Sequence, residues 1–110
     1  MIETQIPQGI NVDLYRNILG EIKEKLAKVQ FIMENFEETR NDDSLLCLMY
    51  WKLVEGAEQL EDILWLTKPE VVRRSRQKIQ EKGVLLPTDE EVYKRRRFNE
   101  RIVKQGIQQV

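Results

Sequence analysis

At 110 residues the chain has the length of one ordinary domain, enough to close a modest core. Apolar residues make up 41% and charged residues 34%, a globular, strongly solvated composition, and the formal charge of −1 conceals an asymmetry: residues 1–62 hold 13 acidic and 6 basic side chains, residues 63–110 hold 12 basic and 6 acidic. Histidine is absent and cysteine occurs once, which removes the commonest general base, the commonest transition-metal ligand and any disulfide within one chain, so neither an enzyme nor a metal or cofactor site is expected.

Met1 to Asn11, with Pro7 and Gly9 in a polar setting and no sustained period, reads as a flexible arm. It shows no basic-then-apolar leader pattern, and no apolar run in the chain approaches the length of a membrane span. The expectation is a cytoplasmic protein without a membrane partner. From Val12 onward Tyr15, Leu19, Ile22, Leu26, Val29, Met33 and Phe36 follow at alternating steps of three and four, a heptad stripe that predicts one long amphipathic helix over residues 12–39. Glu21 with Lys25 and Glu24 with Lys28 stand in the favourable i,i+4 order. Such a stripe can form a coiled-coil homodimer, with Leu19, Ile22, Leu26, Val29 and Met33 as its interface. Leu14, Ile18, Phe31 and Ile32 widen it, however, so the helix can equally pack along its own domain.

Asn41-Asp42-Asp43-Ser44 supplies N-cap chemistry before the apolar run Leu45 to Val54, and Gly56 offers a stop, which predicts a short buried helix with Cys47, Tyr50 and Trp51 as core. Glu37-Glu38 and Asp42-Asp43 read as solvated faces or caps and not as metal ligands. Ala57 to Leu66 predicts a third helix with Leu60, Ile63, Leu64 and Trp65 on its packed side. Thr67-Lys68-Pro69-Glu70 has the form of a capping box with proline in the first turn, opening a helix to Lys82 that stops at Gly83. Thr88-Asp89-Glu90-Glu91 repeats that logic and opens a basic C-terminal helix toward Lys104. No segment has convincing strand period, although Val84-Leu85-Leu86 is compatible with a short extended piece.

The fold class expected is therefore all-α: the long heptad-patterned helix, then a helix-turn-helix-like domain over residues 40–110 that ends in the basic helix. In the helix from residue 67 to 82, Val72, Ser75 and Ile79 mark the packed side. Arg73, Arg74 and Gln77 are the candidate base-facing residues, since arginine can take guanine bidentately and glutamine can pair with adenine. Lys68, Arg76, Lys78 and Lys82 are candidates for the phosphate backbone. Lys94-Arg95-Arg96-Arg97, with Arg101 and Lys104, is dense enough to track phosphates.

The stretch Thr67-Lys68-Pro69-Glu70-Val71-Val72-Arg73-Arg74-Ser75-Arg76-Gln77-Lys78-Ile79-Gln80, followed by Leu86-Pro87-Thr88-Asp89 and the Arg95 to Arg97 run, resembles small uncharacterised phage and prophage proteins. Those carry S/T-P-E-T-x-x-R-A-R-R-K-I-Q and a downstream L-P-T-D after a helix that begins near R-N-D-D, as Arg40 to Asp43 does. The resemblance spans roughly residues 40 to 98 and implies a phage-encoded helix-turn-helix-like module. Lys68 stands where Ser or Thr is usual and Ser75 where a small Ala is. The functional expectation is a DNA-binding regulator, or an accessory factor of replication or packaging, in a bacterial host. The competing expectation is a phage protein that binds and redirects a host protein through its acidic amphipathic helix.

Overall fold

Capping side chains set where the helices begin. The computed structural model describes residues 9–57 and 65–98, and within them the regular structure is helical, with no strand. Asn11 accepts from the amide of Leu14 at 3.1 Å and starts helix α1, Val12–Glu21. Asp42 accepts from the amides of Ser44 and Leu45 at 3.0 and 3.1 Å and starts α3, Asp43–Leu53. Between them lie α2, Lys25–Asn35, and a 3-10 turn, Glu37–Arg40. Helix α4 covers Pro69–Glu81, and the chain is helical again over residues 90–98, here α5.

The single helix expected over residues 12–39 is corrected: Ile22 and Glu24 are extended, with ψ of 127° and 137°, and divide it into α1 and α2. At about 1.5 Å per residue a straight 28-residue helix would run ~42 Å, far beyond the ~16 Å that an 11-residue partner such as α3 can cover. Folding the stripe back at Ile22 brings both halves onto the same partner. Gly20 lowers helix propensity close to the break, by about 1 kcal/mol relative to alanine, more than an i,i+4 ion pair restores. Tyr15, near the start of α1, packs its ring against Phe31 and Phe36 at the far end of α2, at centroid distances of 6.2 and 5.0 Å, so the two helices form a hairpin.

The apolar core lies where this hairpin meets α3 and α4. Leu19, Val29, Ile32 and Met33 from the hairpin join Leu46, Met49, Tyr50 and Leu53 of α3 and Val72 and Ile79 of α4, all nearly inaccessible to solvent. Helix α3 runs through the middle, which is why its sequence shows little amphipathic contrast and reads as a continuous apolar run. Cys47 and Trp51 are core, as expected, and the Trp51 indole N–H donates to the carbonyl of Thr67 at 2.6 Å.

Two capping boxes are also corrected. Lys68 occupies the N-cap of α4 without a side-chain bond, and Pro69 opens the first turn. Thr67 is otherwise engaged: its amide donates to Glu55 and its hydroxyl accepts from Lys25. At α5 the capping acceptor is Asp89, to the amides of Glu91 and Val92, while the Thr88 hydroxyl accepts from Asn41. The stops at Gly56 and Gly83 stand, both glycines holding left-handed φ values of +70° and +79°. The helix expected over residues 57–66 falls mainly outside the described residues, as do most of the N-terminal arm and the chain from residue 99. Trp65, expected on a packed side, is 85% exposed. No helix among the described residues is long and apolar enough to cross a membrane.

Candidate nucleic-acid interface

Helix α4 has a sharply divided surface. Val72, Ser75, Arg76 and Ile79 are buried against α2 and α3, and the opposite side carries Lys68, Glu70, Arg73, Arg74, Lys78, Glu81 and Lys82, all exposed, with Gln77 half-buried at its edge. The cations outnumber the two carboxylates on that side. Glu70 engages both neighbouring arginines: it is hydrogen-bonded to Arg73 and lies 3.7 Å from Arg74. The bond to Arg73 holds the Glu70 carboxyl below, and the Arg73 guanidinium above, their ordinary pKa ranges. Arg74 keeps 70% of its side chain in solvent, and water and salt screen an exposed pair of this kind, so Glu70 does not lock either arginine in place.

Arg76 was expected on a phosphate backbone, and the structure corrects this. Its guanidinium is buried and donates through Nε and Nη2 to the two oxygens of Asp43, at 2.8 and 2.9 Å, in a bidentate pair. Its Nη1 reaches Gln80 Oε1 at 3.4 Å.

Arg96 is likewise turned inward. It donates to the carbonyl of Arg40 at 2.6 Å, to Gln80 Oε1 at 3.0 Å and to the carbonyl of Asn41 at 3.2 Å, and it lies 3.6 Å from Asp43. Burial first, and the neighbouring Arg76 guanidinium second, depress the Arg96 pKa below its usual value. Arg95 and Arg97 on the flanks of α5 are exposed, and Lys94 pairs with Glu90 at 3.1 Å. Arg101 and Lys104 lie outside the described residues.

The pattern could have revealed this division. Arg76 falls between Ser75 and Ile79 on the same side of the helix as Val72, so its neighbours already marked it as inward. What the sequence does not show is its partner, because Asp43, read as a cap or solvated carboxylate, is 33 residues away. Asn41 and Gln80, which complete the cluster, had no local signal either.

Of the residues expected at a dimer interface, Leu19, Val29 and Met33 are buried inside their own chain, and Ile22 and Leu26 are half-buried against the same core. Elsewhere an open polar groove of about 560 Å³ runs along α1 to the end of α3, lined by Asp13, Arg16, Asn17 and Lys28 among others. Its charges are of both signs. Among the described residues no cluster of acidic, Cys or His side chains could hold a metal ion.

No family model matches the chain, and no curated protein or solved structure matches it.

Proposed function

We propose that this chain is a non-catalytic DNA-binding module of phage type that approaches the duplex with the outer side of α4. Arg73, Arg74 and Gln77 face base edges or phosphates, Lys68, Lys78 and Lys82 take phosphates, and Arg95 and Arg97 of α5 extend the cationic surface. The observation that carries this reading is the division of α4 itself. One side is fully absorbed by the core, while the other presents a net cationic surface whose members are exposed and held at most by a weak surface pair. The amides at the start of α4 add a partial positive charge beside Lys68. The phage-like stretch from Thr67 to Gln80 coincides with this helix and supports the same reading. A regulator, or an accessory factor in replication or packaging, fits such a surface equally.

The competing reading, docking on a host protein through the heptad stripe, is not favoured, because the stripe's central side chains are consumed by the core. The deciding experiment is fluorescence anisotropy of a mixed-sequence duplex titrated with the protein at 50 and 200 mM salt. About five phosphate contacts give a slope near −4.5 in log K against log salt, so affinity should fall by roughly 100- to 1,000-fold between the two conditions. Absence of binding at the lower salt rejects the proposal.

A further inference from the structure

We propose that residues 88–98 form a latch that opens as a unit ahead of the core, with Gly83 as its hinge and Arg96 as the side chain it releases. None of residues 81–98 is buried, and from the segment after Gly83 it is Leu85 that packs against the apolar core. The segment is tied down by polar bonds instead. Asn41 is the central tie: its Nδ2 donates to Thr88 Oγ1 at 2.9 Å and its Oδ1 accepts the Asp89 amide at 3.0 Å. Its carbonyl, with that of Arg40 and with Gln80 Oε1, accepts from Arg96.

Each of those acceptors can take water when the segment leaves, and the core keeps its charge balance. Arg76 alone already satisfies both oxygens of Asp43, so Arg96 is a second guanidinium beside a carboxylate that has a partner. Its pKa is lowered by burial and by Arg76, which is the expected sign for a cation held at a cost.

Gly83, with a left-handed backbone and nothing within 4 Å of where a Cβ would stand, leaves room for the chain to swing, while Leu85, at a φ of +51° and packed on the core, marks the last apolar anchor before the segment. Val84 and Leu86, on either side of Leu85, point outward and are exposed. Opening shifts Lys94, Arg95 and Arg97 together and adds Arg96 to the accessible cations. The latch does not depend on nucleic acid.

Amide hydrogen exchange on the full chain, read residue by residue, tests it. Val92 and Tyr93 should exchange at least tenfold faster than Val29, Met33 and Met49. Asn41→Ala should accelerate them a further tenfold and leave those core amides unchanged, and Arg96→Gln should do the same through a different bond. A single common exchange rate for segment and core, or variants that accelerate both equally, would show that residues 88–98 belong to the core's cooperative unit and would overturn the latch.

Discussion

Arg76 meets Asp43 through two parallel hydrogen bonds, 2.8 and 2.9 Å long, across 33 residues of sequence, and this contact locks the first turn of α3 to the middle of α4. The planar guanidinium matches the carboxylate fork, so the pair fixes an orientation as well as a distance. Asp43 gains further from its place in the first turn of α3, where the helix dipole favours negative charge. The pair is unequally buried, the Arg76 side chain being 9% exposed and that of Asp43 33%.

Removal of either partner is therefore expected to cost different amounts. Asp43→Asn leaves Arg76 and Arg96 facing each other with no carboxylate between them, and a loss of about 3 kcal/mol is expected, toward the lower end for an orphaned buried charge. Arg76→Met keeps much of the packed volume, and the partly solvated Asp43 retains Arg96 at 3.6 Å, so about 1 to 2 kcal/mol is expected. Urea denaturation of both variants gives the comparison. A larger loss for Arg76→Met would mean that packing, not charge compensation, dominates this contact.

The heptad stripe leads to a second expectation, on the order of reaction. Leu19→Ala and Met33→Ala each empty a fully buried site and should cost about 2 to 5 kcal/mol. Because the stripe closes within one chain, these losses, and the unfolding midpoints themselves, should not change when protein concentration is raised tenfold. A midpoint that rises with concentration would place part of the stripe between chains.

What could be read in the sequence divides along physical lines. Local chemistry was legible at Asp42, Pro69, Gly56 and Gly83, which mark helix ends by rules that act within four residues, whereas Asn11, the cap of α1, was read only as the end of an arm. The burial of Val72, Ser75 and Ile79 followed from helical period. The division of residues 12–39 was not legible, because Leu19, Ile22, Leu26 and Val29 keep their spacing whether the helix is straight or folded back at Ile22. Only the short reach of α3 decides between the two. The roles of Arg76 and Arg96 were hidden for a related reason, since charge type says nothing of direction and their acceptors, Asp43, Asn41 and Gln80, are assembled by tertiary contact.

Burial of two weak acids in α3 predicts a loss of stability at alkaline pH. Burial, with smaller contributions from Glu55 and Asp43, pushes the Cys47 thiol up to about 12, and burial with Glu55 pushes the Tyr50 hydroxyl up to about 12. A raised folded-state value means that the unfolded chain releases its proton first. The stability linked to Cys47 is complete below its ordinary value and is lost as pH rises toward about 12, and that linked to Tyr50 follows from near 10. Denaturation midpoints should therefore fall progressively above pH 9, and Cys47→Ala should flatten the early part of that fall. The same burial predicts that a thiol reagent at pH 8 labels Cys47 at the rate of global opening. Rapid labelling of the native protein would contradict this.

The two classes of arginine on α4 offer the sharpest separation of function from stability. Arg74 has 70% of its side chain in solvent and one loose contact to Glu70, so Arg74→Ala should move the thermal midpoint by no more than about 2 to 4 °C, as surface substitutions away from special features do. Under the proposed reading it removes one cationic contact and should weaken duplex binding by about tenfold at low salt, with the salt slope reduced in magnitude by roughly 0.9 if that contact is to a phosphate. Arg76→Gln is expected to reverse the pattern: the midpoint falls by several degrees through loss of the Asp43 pair, while the binding of the protein that remains folded changes little. The physical reason is that the Arg76 side chain is buried and its Nε, Nη1 and Nη2 already donate to Asp43 and Gln80. Scanning calorimetry paired with the anisotropy titration reads both quantities on the same samples. If Arg76→Gln abolished binding at a temperature where the variant is fully folded, the inward placement of its guanidinium would have to be abandoned.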